Sequence, residues 1–222
     1  MAAEKINIER FLELAEQYPV LDVRSPGEYQ RAHIPGAISF PLFTDEERKV
    51  VGTAYKQESR EKAIKIGLDY FGVKMRRMVE DAEVVVSRKS IVDSREQSGE
   101  STRLLTNDLR LTTDRHSNRT LIVHCWRGGM RSSAVAWLLD LYGFKVYTLV
   151  GGYKRYRNWV IETYSGNHSF KIVGGYTGSG KTYVMKELKK QGECVVDLED
   201  LAKHKGSAFG NIGMPAQPSQ EM

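Results

Sequence analysis

Leu121-Ile122-Val123-His124-Cys125-Trp126-Arg127-Gly128-Gly129-Met130-Arg131-Ser132 runs from an apolar stretch through a cysteine and a glycine pair into residues that open a helix. The apolar run has the length and composition of a buried strand, and the glycines let the backbone curl behind it. A strand-to-helix turn of this kind is an anion cradle. The amides of Trp126, Gly128, Gly129 and Met130 converge on one centre, and the helix start, Arg127 and Arg131 add positive potential. A thiol placed there loses its proton more readily, so Cys125 is the candidate nucleophile, with Arg127 and Arg131 as its catalytic partners.

Working outward, Val135, Leu138, Leu139 and Tyr142 recur at helical spacing, and Val146 to Val150 forms another apolar run closed by Gly151 and Gly152. Strand, helix, strand in this order implies a parallel sheet with helices on its faces. Toward the N-terminus, Asn7 caps a helix carrying Ile8, Phe11, Leu12 and Ala15 that ends near Tyr18, and Pro19 stops it. Val20 to Val23 is the next strand, and the turn-rich Arg24 to Gly27 follows it. Between Ser87 and Arg119 the chain is dominated by Ser, Thr, Arg, Asp and Asn, and no aromatic residue lies between Phe71 and Trp126. That stretch is expected to be an exposed insertion with short helical pieces, for instance around Leu104 to Leu111.

A second motif lies downstream. Gly175, Tyr176, Thr177, Gly178, Ser179, Gly180, Lys181 and Thr182 match the G-x-x-x-x-G-K-[ST] phosphate loop. An expected strand, Phe170 to Val173, precedes it, and a helix with Val184, Met185 and Leu188 follows. The amides from Gly178 to Lys181 would wrap a pyrophosphate, Lys181 would neutralise its outer charge, and Thr182 would offer a hydroxyl to Mg²⁺. Glu193 to Leu198 is expected as a second strand with Cys194 in its core. Asp197 and Glu199 follow that run as acids that could stand behind the phosphate site, though such a strand more often ends in a solvated acidic turn. Between the motifs, Tyr153 to Trp159 interleaves aromatics with cations, a pattern open to stacking and phosphate contact with RNA; the preferred expectation has Tyr153, Tyr156 and Val160 facing the core and the cations the solvent.

The composition narrows the classes. Of 222 residues 41% are hydrophobic and 27% charged, and no apolar run approaches bilayer length, so no membrane span is expected. The first ten residues lack the apolar segment of a secretory signal, which points to the cytoplasm. Two cysteines exclude a disulfide framework and a four-cysteine zinc site, and no metal ligand set is expected. A net charge of +5 permits a phosphate-rich partner without demonstrating one.

Asp22, Val23, Arg24 with Glu28, then His33, Ile34, Pro35, Gly36 and Ala37, resemble the first signature of rhodanese-like domains. Cys125 to Arg131 resembles their active-site loop, and Val150 to Gly152 the strand end that follows. The resemblance implies a persulfide-carrying Cys125, with Asp22 and Arg24 as fold-stabilising partners. The same Cys-x5-Arg spacing fits cysteine-dependent phosphatases, one family of which shares this fold; there Arg131 would grip two phosphate oxygens. The loop alone leaves both chemistries open, along with a non-catalytic binding module.

Rhodanese-like loop and phosphate loop together resemble the bacterial tRNA 2-selenouridine synthase family. Segments such as Val51 to Gln57, Gly151 to Lys154 and Gly206 to Gly210 carry the likeness further, while Met75 to Arg119 departs from it. The resemblance implies conversion of the wobble 2-thiouridine of tRNA to 2-selenouridine through a geranylated intermediate. Selenophosphate and geranyl diphosphate are the implied substrates, with no tightly bound cofactor and Cys125 as selenium or sulfur carrier. A selenophosphate-producing enzyme is an implied partner. The expected architecture is thus a rhodanese-like α/β domain over 5–164, with the polar insertion at about 87–119, and the N-terminal part of a P-loop α/β unit over 168–222. A complete P-loop fold needs more strands than this, so a C-terminally truncated chain with impaired conversion is expected.

Overall fold

The computed structural model describes residues 3–98, 119–176, 178–206 and 209–218, and over 88–98 the course of the backbone alone. The chain divides into two compact units, Met1–Ile161 and Glu162–Met222.

The first unit is built on a five-stranded sheet in the order β1-β5-β4-β2-β3, every pair parallel. Its strands are β1 (Glu4–Ile6), β2 (Val20–Asp22), β3 (Ile38–Ser39), β4 (Thr120–His124) and β5 (Lys145–Leu149). The helices are α1 (Ile8–Gln17), α2 (Pro26–Arg31), α3 (Asp45–Gln57), α4 (Arg60–Gly72), α5 (Met75–Ser98), α6 (Met130–Leu141) and α7 (Gly152–Tyr164). Side chains alternate across a strand, so each strand feeds two cores. Leu21, Val23, Leu121, Val123, Cys125 and Val146 pack on one face with Val135 and Leu139 of α6 and Phe71, Met78 and Ala82 of α4 and α5. Val20, Ile122, Tyr147 and Leu149 pack on the other with Ile8, Phe11 and Leu14 of α1 and Tyr153 of α7.

Local sequence accounts for the element ends. Asn7 Oδ1 accepts from the Arg10 amide at 3.0 Å and starts α1, and Pro19 follows its last turn. Thr44 and Ser59 cap α3 and α4 in the same way. Within the polar insertion, where helical pieces are expected, the backbone of Ser87 to Ser98 continues α5, because a helix already nucleated and packed through Met78, Val79 and Ala82 extends over polar residues of adequate propensity. Leu104 to Leu111 lies outside the described residues. In α7 Tyr153 is buried and Tyr156 packs against the core, but Trp159 rather than Val160 completes that face. Among the described residues no helix is long and apolar enough to cross a membrane.

The sheet register sets Asp22 beside His124 at the carboxyl ends of β2 and β4. Directly after β2, the fully buried Arg24 returns to Asp22, its Nε at 2.9 and 3.0 Å and its Nη2 at 2.6 Å from the carboxylate. Nη2 also donates to the Ala32 carbonyl at 2.7 Å, and the guanidinium lies over the Tyr153 ring at 4.1 Å. A pair taken this far from water holds only while both partners remain.

In the second unit α8 (Lys181–Lys190) and α9 (Leu198–Ala202) form. Neither Phe170 to Val173 nor Glu193 to Leu198 pairs into a ladder, which corrects both expected strands. An apolar run becomes a strand only where neighbouring strands take up its amides and carbonyls. Cys194 is accordingly exposed, not core. Phe170, Ile172, Leu198, Leu201 and Phe209 are likewise exposed, and no hydrophobic side chain of 162–218 is buried among the described residues.

All three tryptophans, Trp126, Trp137 and Trp159, lie in the first unit, so their fluorescence follows its unfolding alone. Arg24→Met is expected to lower the stability read by that signal in a urea titration by about 3–5 kcal/mol. A loss below about 1 kcal/mol would show that the buried pair is dispensable.

Candidate active site at the Cys125 loop

Cys125 leaves β4 at its carboxyl end, and the loop turns at once into α6. Backbone packs on backbone to hold that turn. The Tyr153 amide donates to the Cys125 carbonyl at 2.8 Å and the Lys154 amide to the Trp126 carbonyl at 3.0 Å, so the first turn of α7 clamps the loop. Two glycines make the approach feasible. A Cβ on Gly128 (φ +65°) would lie 2.6 Å from the Leu149 carbonyl oxygen, and one on Gly152 (φ +56°) would lie 2.7 Å from the Gly128 nitrogen and strike the Cys125 carbonyl. Trp126 stacks at a tilt on Tyr153, ring centroids 5.5 Å apart.

Donors surround the sulfur. The Gly129 amide donates to Sγ at 3.3 Å, and the Ser132 oxygen lies 3.3 Å from it; the one Ser132 hydroxyl proton is given to the Gly129 carbonyl at 3.0 Å and can turn to the sulfur when the thiol ionises. Burial of the sulfur works against its ionisation. The hydroxyl and amide of Ser132, the Arg127 amide and the positive charge of Arg131 outweigh that, and the thiol is held below its ordinary range. The structure therefore brings together Cys125, the Arg127 backbone, Gly129 and Arg131. The Arg127 side chain points to solvent and contributes through its amide, and Met130 is half exposed.

Three residues outside the expected site complete it. Ser132 supplies a hydroxyl, a signal legible from its place in the first turn of α6. Glu28, read only as part of a signature, receives Arg131 Nη1 at 2.7 Å and Nη2 at 3.4 Å. His124 is fully buried behind the cysteine, its Nδ1 3.4 Å from the Cys125 carbonyl and its Nε2 3.8 Å from Asp22. Among the described residues its Nε2 has no hydrogen-bond partner. Burial lowers its pKa against the pull of Asp22, so the ring is neutral.

The phosphate loop belongs to the second unit. Gly178 and Gly180 adopt φ of +82° and +83°, and α8 begins directly at Lys181. The Lys181 ammonium folds over the loop, donating to the carbonyls of Gly175 at 2.8 Å and Tyr176 at 3.0 Å. Thr182 shares a hollow with Asp197, Glu199 and Asp200. Asp197 is committed in part to capping α9 through the amides of Glu199 and Asp200.

A parallel α/β domain with a cysteine ringed by amides at the carboxyl end of a central strand defines the first unit as a thiol-loop domain. The chain belongs to the rhodanese-like family, whose domain model matches residues 7–158. Residues 168–222 match the model of the tRNA 2-selenouridine synthase AAA domain. Two relatives, each called tRNA 2-selenouridine synthase, come from Nitrosomonas europaea and Bdellovibrio bacteriovorus. The first is 35% identical over 91% of this chain and 46% of its own length; for the second the figures are 36%, 99% and 51%. The chain thus spans about half the length of the curated relatives it matches. Among solved structures, the N-terminal domain of a Clostridium difficile 630 protein named for ATP/GTP binding is 34% identical. It covers 71% of this chain and 99% of its own, with a TM-score of 0.53.

Iodoacetamide should alkylate Cys125 at a lower pH than an ordinary thiol, because only the thiolate attacks and its pKa is depressed. The rate falls as pH drops through that depressed value. Ser132→Ala removes a donor to the thiolate and is expected to move the midpoint upward. Peptide mass spectrometry separates Cys125 from the exposed Cys194, and an unmoved midpoint would remove Ser132 from the site.

Proposed function

We propose that Cys125 carries selenium or sulfur in the replacement of sulfur by selenium at the wobble 2-thiouridine of tRNA. Selenophosphate is the selenium donor, and geranyl diphosphate is the source of an S-geranylated intermediate. The observation that carries this reading is the ring of donors around Cys125 Sγ, whose net effect favours the anion. Loading balances when the Cys125 thiolate attacks the selenium of selenophosphate and the P–Se electron pair leaves with phosphorus, which takes up a proton and departs as phosphite. The new S–Se bond leaves the negative charge on the terminal atom, where the loop amides can receive it. The likeness to relatives called tRNA 2-selenouridine synthase supports the choice of tRNA and selenium. A selenophosphate-producing enzyme is the corresponding partner, and the cytoplasm, where tRNA is modified, the corresponding compartment.

The division of labour follows from the two motifs. Cys125 is the covalent carrier, with Ser132 and the amides of Arg127 and Gly129 as stabilisers of negative charge. Gly175, Gly178, Ser179, Gly180, Lys181 and Thr182 hold a phosphate or diphosphate group of a substrate. Lys181 must exchange its two carbonyl partners for phosphate oxygens, a favourable trade for an ammonium. Mg²⁺ accompanying a diphosphate would find the Thr182 hydroxyl, with the carboxylates lining the same hollow to receive its waters.

Arg131 speaks against phosphate-ester hydrolysis as the main activity. Both of its terminal nitrogens are turned to Glu28, so the fork a phosphatase needs is occupied. Sulfur transfer remains a chemistry the same cradle suits, since it places equal demands on the thiolate.

Incubation with selenium-labelled selenophosphate and 2-thiouridine-containing tRNA tests the proposal. Label is expected on the wild-type chain and not on Cys125→Ala, while Lys181→Ala retains loading of Cys125 and loses conversion of tRNA. Equal labelling of wild type and Cys125→Ala would refute the assignment.

A further inference from the structure

Glu28 is not itself a reacting group, yet its carboxylate engages Arg131, whose positive charge acts on the Cys125 thiol. Oε2 accepts from Arg131 Nη1 at 2.7 Å and from the Ser25 amide and hydroxyl at 3.1 Å each, and Arg48 Nε stands 3.6 Å away. Oε1 faces Arg131 Nη2 at 3.4 Å. The pair is partly sheltered, with side-chain exposures of 25% for Arg131 and 18% for Glu28.

A guanidinium grips a phosphoryl group through the same two N–H directions it offers a carboxylate. The spacing from Cys125 to Arg131 places such a fork beside the thiol, and α2 delivers a carboxylate into it from elsewhere in the fold. Tethered on a helix and capped by Ser25, that carboxylate competes at a high local concentration with any anion from solution. We infer that Glu28 is a specificity-determining residue that positions Arg131: it fills the arginine's fork, withholds it from tetrahedral oxyanions, and leaves the amides to serve a small charged atom on Cys125. The inference rests on the reading of the Cys125 loop as an anion cradle. It does not depend on which chalcogen is carried or on tRNA.

Ionisation keeps the device engaged. Burial raises the Glu28 pKa, but the bond and charge of Arg131, the Ser25 amide and the charge of Arg48 outweigh it, and the carboxyl stays below its usual range. The fork is therefore filled throughout neutral pH and is vacated only in acid.

Glu28→Gln tests the idea with little risk to the fold, because glutamine at this position also serves the Ser25 amide at the start of α2. Alkylation of Cys125 by iodoacetamide is followed by peptide mass spectrometry while inorganic phosphate, or tungstate in a parallel series, is added. In Glu28→Gln the oxyanion is expected to protect Cys125 at a concentration about tenfold lower than in the wild type. Adding Arg131→Ala to Glu28→Gln should return protection to the wild-type level, a dependence a merely structural defect would not show. Protection that is unchanged or absent in Glu28→Gln, or a gain that survives Arg131→Ala, overturns the inference. Neither result bears on selenium labelling of Cys125, so the two proposals fail separately.

Discussion

A guanidinium with almost no access to water, that of Arg24, holds the first unit in register around its site. It joins the carboxyl end of β2 through Asp22, the exit of α2 through the Ala32 carbonyl, and the start of α7 through the Tyr153 ring. Trp126 of the thiol loop lies at the edge of the same cluster, 5.9 Å from the cation. Burying a charge is costly, so each of these contacts is required once the others exist. The result is a rigid floor beneath a loop that must keep several amides aimed at one atom.

The sulfur at that centre is governed by two opposed effects. Its neighbours on the β4 side are apolar, and burial alone would keep it protonated. Donors reaching it from α6 and the loop reverse the outcome. Close clamping by α7 makes that reversal possible, since loop amides spread by even one side chain at Gly128 or Gly152 would no longer converge. The neutral His124 beneath adds no charge of its own and leaves the donor ring to set the thiol's state.

Much of this was legible in the residues. The run from Leu121 to Ser132 and the helical spacing of Val135, Leu138 and Leu139 led directly to β4, the loop and α6. Asn7 and Pro19 marked both ends of α1. Other parts were hidden for physical reasons. β1 is three residues long and takes its conformation from pairing with β5 rather than from its own pattern. The helices α3 and α4 carry few buried side chains, so their periodicity is faint. The contact between Glu28 and Arg131 joins residues 103 positions apart, and no local pattern reports such a distance. In the second unit the apolar runs and Cys194 were read as strand and core, but burial needs partners that a run's own composition does not supply.

Parallel strands enter the sheet at one edge and leave at the other. β4 begins at Thr120 and releases Cys125 at its far end, about 16 Å away at the usual rise per residue. Arg119, where the chain enters β4, thus lies a full strand-length from the thiol, and the sequence between α5 and β4 is anchored there. That sequence contains no cysteine of its own. A fluorophore or affinity handle engineered at that anchorage would leave both cysteine thiols native, so one molecule can be tracked by spectroscopy while its thiol turns over.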